Sequence, residues 1–285
     1  MESSNPMAIE PEGAIRRFAE LTRTGAVDEP YGEPRLGIDL GTANIVASVV
    51  DQLDRPVTGA SLHSTVVRDG VVVDWVGATT AVRSLAAEVG HRLGVRFTAA
   101  SLSIPPGISQ GDIQVFRNVA EAADLDVEGV VDEPVAAARA LGITDGCVID
   151  IGHGTTGVSI LAGGEVVCSV DEATGGHHMT LVVAGRRKID YDAAEAVKRD
   201  AAEYDSVLGL IRPTLEKMAS IAASVLDGQD VPMIYLVGGS SSFPHAADVF
   251  ATWLDRPVIR PTDPLFVTPL GVPMRGPAGS GQRVG

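Results

Sequence analysis

The stretch Cys147–Leu161 reads CVIDIGHGTTGVSIL. β-favouring residues run into Asp150, then Gly152, Gly154 and Gly157 interrupt among hydroxyls, and a second β-like run occupies Val158–Leu161. The pattern is strand, tight polar loop, strand: a hairpin with a carboxylate at the strand end and small donors at the bend. The loop also spells G-x-G-x-x-G, a dinucleotide fingerprint that requires a helix to open at the loop. The chain instead continues as VSILAGGEVVCSV, two β-branched runs around Ala162-Gly163-Gly164, which is another hairpin. That context rejects the dinucleotide reading.

The same design occurs earlier in the chain. Laid 111 positions back without a gap, Gly37–Val50 (GIDLGTANIVASVV) places Ile38 on Ile149, Asp39 on Asp150, Gly41 on Gly152 and Ser48 on Ser159. An ordinary glycine turn explains either loop alone and explains the duplication poorly. Two copies are too few for a solenoid and suit a two-lobed molecule with equivalent hairpins facing one cleft. Glycine-bent loops offer backbone N–H groups to phosphate oxygens. Two aspartates so placed would repel unless a divalent cation stood between them. A nucleoside triphosphate with Mg²⁺ supplies both partners.

Bulk properties narrow the classes. With 285 residues, 45% of them hydrophobic, the chain can bury one or two full cores. A formal charge of −15 argues against nucleic acid and against an anionic membrane surface as partner. Cys147 and Cys168 are the only cysteines, and both fall in strand-like runs, where buried free thiols are expected rather than a disulfide or metal site. The start MESSNPMAIEPEG has no apolar core of signal-peptide length. No run approaches about eighteen apolar residues. The expectation is a soluble cytoplasmic protein.

Four segments emerge from the pattern: an extension at 1–33, a first lobe at 34–142, a second at 143–272 and a flexible tail at 273–285. In the extension, Ile15, Phe18, Ala19 and Thr22 mark one weak amphipathic face, which reads as a peripheral capping helix or, alternatively, a docking peptide. Asp69-Gly70 signals a turn, Ala78–Leu93 and Asp112–Ala123 helices, and Phe97–Ile104 a strand stopped by Pro105-Pro106. In the second lobe Asp190 or Asp192 can cap a helix at Ala193–Ala201, and Ser206–Leu226 is a long amphipathic helix. Pro232–Val237 is an apolar strand, a helix runs from about Pro244 to Leu254, and Thr268–Val272 closes the fold.

With these pieces in order, the chain resembles the actin, sugar-kinase and Hsp70 ATPase superfamily. GIDLGTAN looks like its first phosphate motif, VIDIGHGTTGVSIL like its second, VVDEPVAAARALG like its connecting helix and IYLVGGSSSFP like its adenosine motif, spread over roughly residues 36–272. The implied fold is α/β, actin-like (ribonuclease H-like), with two duplicated lobes around a nucleotide cleft and no substrate-binding domain. Within that superfamily the stretches VVRDGVVVDWVGATTAVR, SIPPG and DEATGGHHMTLVVAGRRKID resemble the EutJ family of ethanolamine-utilisation proteins.

The resemblance implies ATP and Mg²⁺ as ligands. It places Asp39 and Asp150 around the metal through its waters. Gly41 and Thr42, with Gly152, His153, Gly154 and Thr155, belong to the phosphate loops. Glu133 would orient the attacking water or a metal water, or else merely face a helix start. Gly175 and Gly176 would pass close to ribose and phosphates. Glu195 and Lys198 match an E-x-x-K at the ribose, against the plainer reading of an exposed i,i+3 pair. Gly239 and Ser240, with Phe243, would line the adenine.

Departures from the pattern bear on catalysis. Ala81 occupies the position where the Hsp70 pattern has a catalytic lysine, and Lys188, Lys198 and Lys217 are the only lysines in the chain. Arg83 could reach the γ-phosphate or stay a surface arginine, and its planar fork is no simple substitute for an ammonium. His153 replaces a loop glycine. Nucleotide binding is therefore the firmer expectation, with weak ATPase activity at most. His177 and His178 lack further ligands at metal spacing, and Ser240–Ser242 lacks a nucleophile elbow. The implied role is an ATP-binding, chaperone-like accessory protein acting on enzymes or shell of a bacterial microcompartment. Its partners would be ATP or ADP and a protein, without nucleic acid or membrane, and a homodimer is left open. A bacterial-actin-like filament or scaffold is the alternative.

Overall fold

In the computed structural model, residues 10–68 and 71–275 are described. The chain starts with helix α1 (Pro11–Thr24), closed by Gly25 at φ +71°. Three antiparallel strands come next, β1 (Arg35–Leu40), β2 (Asn44–Val50) and β3 (Pro56–His63), then a small hairpin of β4 (Val67–Arg68) and β5 (Val71–Val72). The expected turn at Asp69-Gly70 lies outside the described residues. Helix α2 (Trp75–Leu93) starts three residues earlier than its apolar stripe suggested, because the Asp74 side chain accepts from the Gly77 N–H and caps it there. Strand β6 (Ala99–Ile104), helix α3 (Gln110–Ala122), strand β7 (Asp126–Asp132) and helix α4 (Glu133–Leu141) complete the first lobe.

The second lobe repeats this plan with β8 (Gly146–Ile151), β9 (Thr156–Ala162) and β10 (Glu165–Glu172). Then come α5 (Gly176–Arg187), α6 (Tyr191–Arg199) capped by Asp190, and the long α7 (Tyr204–Leu226). Strand β11 (Ile234–Val237) begins two residues later than the apolar run Pro232–Val237. Helix α8 (Ala246–Leu254) likewise begins after Pro244, behind His245 at φ +65°. The segment Thr268–Val272 forms most of a short buried helix, α9 (Val267–Gly271).

The duplication read from sequence extends to register and strand order. Gly37 pairs Ser48 and Asp39 pairs Val46 in one hairpin; Val148 pairs Ser159 and Asp150 pairs Gly157 in the other. The first sheet has the order β3-β2-β1-β6-β7 and the second β10-β9-β8-β11, with a single parallel bridge from Tyr235 to Ile259 at the place of a fifth strand.

Each sheet buries one face under its own helices. Val82, Leu85 and Val89 of α2 meet Ile38 and Leu102, while Ile211, Leu215 and Met218 of α7 meet Ile149 and Leu236. The other faces meet in a third, interlobe core that joins Val46 and Val50 to Val148, Leu161 and Val237. Helices α4 and α9 cross within it, so close that a β-carbon on Gly271 would stand 1.7 Å from the Ala136 carbonyl oxygen. Helix α1 supplies Ile15, Phe18 and Ala19 to the same core, with the Phe18 ring edge-on to Phe266 at 5.7 Å. Its weak sequence stripe is thus occupied by both lobes rather than by solvent or a visiting partner.

Two other expectations change. Cys147 is buried, which pushes its thiol up to about 12, but Cys168 faces solvent on β10 because the outer face of that strand carries no helix. The tail from Pro273 does not start free: Pro273 packs against Gly37 and Met274 is buried, while 276–285 lie outside the described residues. Among the described residues no helix is long and apolar enough to cross a membrane.

Candidate functional site

Asp39 and Asp150 stand at matching positions, one residue before the ends of β1 and β8. Each carboxylate is fixed by the strand or helix beside it. The Ser103 hydroxyl at the end of β6 donates to Asp39 Oδ1 at 2.5 Å, and the Thr268 hydroxyl of α9 donates to Asp150 Oδ2 at 3.3 Å. Gly238, at φ +88°, leaves room for Asp150: a β-carbon there would lie 2.1 Å from Oδ1. Glu133, the first residue of α4, brings a third carboxylate within their electrostatic reach.

These acids titrate abnormally for one shared reason. Burial raises Asp39 to about 6 against the opposing bond from Ser103. Burial and then repulsion from Asp39 raise Asp150 to about 7. Glu133 is pushed well above its usual range by burial, Asp39, Asp150 and Asp171. Buried carboxylates clustered this closely disfavour one another's charge.

The two glycine loops converge on the same place. A β-carbon on Gly41 would be 2.8 Å from the Asn44 carbonyl oxygen, and Gly152 N–H donates to the Thr155 carbonyl at 3.0 Å, closing each bend tightly. The second loop is braced from behind, since the Gly152 carbonyl accepts from Gly176 N–H at 3.0 Å and from the Ser240 hydroxyl at 2.9 Å. Gly175 must lack a side chain, as a β-carbon would meet the His153 carbonyl oxygen at 2.6 Å.

A cleft of about 460 Å³ opens over these groups. Asp39, Glu133, Asp150, Gly41, Thr42, Gly152, His153 and Thr155 wall one part of it. Glu195, Lys198, Gly239, Ser240 and Phe243 wall the other. Gly154, Gly175 and Gly176 are not on its wall; the two latter hold the loop in shape by the contacts just described. Tyr204 stacks edge-on against Phe243 at 5.5 Å beside the apolar end.

The Glu195–Lys198 pair is largely buried, not an exposed surface pair: Nζ lies 2.7 Å from Oε2, with side chains 11% and 19% exposed for the lysine and the glutamate. Lys198 also donates to the Gly176 carbonyl at 3.1 Å and to the Thr180 hydroxyl at 2.7 Å. Burial pushes the Glu195 carboxyl up, but bonds from Lys198 and Thr180 outweigh it and hold the group at about 2. His153 Nε2 and His177 Nδ1 share the Tyr191 hydroxyl, at 3.2 and 3.0 Å. Burial lowers the His153 pKa. His178 Nδ1 accepts from the Gly175 N–H at 3.2 Å, a backbone-positioning role.

Arg83 does not reach the cleft. It bonds the Ala122 carbonyl and lies 3.4 Å from Asp124, because α2 turns this face toward the end of α3. Ala81 is buried in the first-lobe core. Sequence reading passed over Ser103, Gly238, Thr268, Asp171 and Tyr191. Gly238 lies inside the motif IYLVGGSSSFP without having been given a role of its own, and the others left no local trace.

The residues fit a hydrated divalent cation. Among the described residues no three His, Cys, Asp or Glu groups close into a cage that holds a metal directly. Three mutually repelling carboxylates beside two N–H-rich loops nevertheless match an ion that keeps its waters and shares its remaining positions with phosphate oxygens.

Comparison with known proteins identifies the family and the fold. A family profile described as Hsp70 protein matches residues 76–184. The ethanolamine utilization protein EutJ of Salmonella typhimurium (strain LT2) is 42% identical over 244 residues, 85% of this chain and 86% of that protein. The crystal structure of the ethanolamine utilization protein EutJ from Carboxydothermus hydrogenoformans superimposes with a TM-score of 0.87 at 40% identity, covering 93% of this chain and 98% of that one. MreB5 of Spiroplasma citri bound to AMPPNP superimposes at 0.67 and 20% identity, covering 85% and 95%, which shows a shared actin-like fold.

Proposed function

Because this chain belongs to the EutJ family of ethanolamine utilization proteins, we propose that it is an ATP-binding, chaperone-like accessory protein acting on enzymes or shell of a bacterial microcompartment in the cytoplasm. One observation carries the nucleotide part: carboxylates and glycine loops from both lobes wall a single cleft. In this reading Asp39, Asp150 and Glu133 hold the waters of Mg²⁺, which when bound neutralises the phosphate charge. Gly41, Thr42, Gly152 and Thr155 present backbone and hydroxyl donors to the phosphates. Glu195 and Lys198 take the ribose, with Gly239, Ser240 and Phe243 along the adenine.

The α4–α9 crossing is the element that ligand would bias. A nucleotide touching both lobes binds the closed arrangement better than the open one, and only that difference in affinity can drive a switch. Surfaces exposed by opening and closing then differ in affinity for a protein client. Hydrolysis is slow in this reading, since Arg83 is held on α3 and the first lobe has no lysine. Loss of one clamping cation costs roughly a hundredfold to a thousandfold in rate.

Calorimetry of the full chain with ATP, ADP and Mg²⁺ tests the reading, with phosphate release by the wild type beside Asp150→Ala, alone and with microcompartment enzymes. Saturable binding that needs Mg²⁺ is expected. Absence of binding at millimolar nucleotide would end it, and nucleotide-dependent pelleting would favour a filament instead.

A further inference from the structure

A second cavity, of about 500 Å³, lies at the opposite end of β1 and α4 from the carboxylates. Arg35, Arg139 and Arg275 line it, together with Glu128 of β7 and the residues Val272–Met274 after α9. Three guanidinium groups in one hollow are unexpected in a chain of formal charge −15.

Two of them, Arg35 and Arg139, each leave one buried N–H unpaired. Arg35 Nε donates to the Pro273 carbonyl at 3.1 Å and Nη2 binds Asp54, but Nη1 is buried without a partner. Arg139 Nη1 donates to the Met274 carbonyl at 2.9 Å, and its Nε is buried without a partner. Among the described residues only the Thr79 hydroxyl shares that condition. A buried N–H on a charged group that bonds nothing costs more than the same group in water, so each of these is a donor that an acceptor entering the cavity could satisfy.

The two groups belong to one electrostatic neighbourhood. Asp54 pairs with Arg35, acts on Arg139 through space, and accepts from the Arg275 backbone N–H at 3.2 Å. Burial lowers the pKa of both guanidiniums, and Arg275 adds to the effect on Arg35. Asp54 and, from farther away, Asp51 oppose the charge of Arg35, Asp54 opposes that of Arg139, and Glu128 is the acid on the cavity wall.

We propose that this cavity is a binding site for a small phosphate-type oxyanion, held by charge-assisted hydrogen bonds from Arg35 and Arg139, with Arg275 at its rim. Guanidinium forks match tetrahedral oxyanions in geometry as well as charge, which an ammonium does not. The site lies apart from the nucleotide cleft and does not depend on it. Its walls include the end of α4 and the chain just after α9, so an occupant ties together the two elements that cross between the lobes.

The probe is inorganic phosphate, titrated into the full-length protein by calorimetry and thermal melting at constant ionic strength, with potassium chloride replaced stepwise. Saturable binding and a melting temperature that rises with phosphate are expected. Arg139→Met keeps an apolar stem of similar length and should weaken phosphate at least about tenfold, the value of one charge-assisted bond. Glu128→Gln removes an opposing charge and should tighten it several-fold. Should Arg139→Met fail to fold, Glu128→Gln and the surface variant Arg275→Met decide, the latter by weaker binding. Equal phosphate response in wild type and all folded variants, or no saturation, overturns the proposal.

Discussion

Gly271 touches the Ala136 carbonyl so closely that no larger residue fits, with a built β-carbon only 1.7 Å from that oxygen. The contact joins α9 to α4, the two helices between the sheets. Gly271 has no left-handed backbone requirement, so its identity is set by this approach alone. Gly271→Ala should force the helices apart and destabilise the fold by about 1–3 kcal/mol, the usual cost of overpacking. Urea unfolding with an unchanged m-value checks it. An unaltered midpoint would show that the crossing has slack.

The carboxylate cluster predicts an inverted pH dependence for the nucleotide-free protein. Unfolded aspartates release protons near pH 4, whereas folded Asp39 and Asp150 hold theirs to about 6 and about 7. Between those limits the folded state binds more protons, so its stability falls as pH rises from about 4 to about 7. Melting curves without nucleotide should show that decline, and saturating ATP with Mg²⁺ should flatten it.

Asp150→Asn separates stability from binding at the same position. The amide keeps an acceptor for Thr268 and removes a buried charge. The nucleotide-free variant should therefore be more stable than wild type at pH 8, by on the order of 1 kcal/mol or more. Its stabilisation by ATP with Mg²⁺ should be largely lost. A variant that melts lower than wild type without ligand contradicts the electrostatic account.

Phe18→Ala tests whether α1 belongs to the core. Phe18 is fully buried and meets Phe266 across the interlobe core, so truncation should cost about 3–5 kcal/mol. The cost of a merely peripheral helix would be near zero. Denaturant titration distinguishes the two.

Ala81→Lys should not restore a catalytic ammonium. Residue 81 is 6% exposed on the core face of α2, where a lysine meets Val82, Leu85 and their neighbours instead of phosphate. An unpaired charge there costs about 3–5 kcal/mol. Stable folding with faster phosphate release would refute this placement.

Local chemistry reached a long way in this chain. The two acidic hairpins were legible because strand period, glycine position and a gapless repeat are properties of neighbours in sequence, and their registers proved identical in the folded state. The connecting helix was legible from Glu133-Pro134 and its run of alanines for the same reason. Boundaries slipped where a single cap decided them, as with Asp74 ahead of α2.

Tertiary structure decided everything set by groups distant in sequence. Ser103 meets Asp39 across 64 residues and Thr268 meets Asp150 across 118, so nothing local marks either hydroxyl as a support. Helix α1 looked peripheral because its stripe is short, and only the assembled lobes supply the apolar surface that buries it. The arginine-lined cavity joins Arg35, Arg139 and Arg275, which no motif connects. Sequence alone determined where the two acidic hairpins and their glycine loops fall, because strand and turn propensities act over a few residues. Which charges are buried, paired or left wanting is decided by packing, since desolvation exists only once the chain has closed around them.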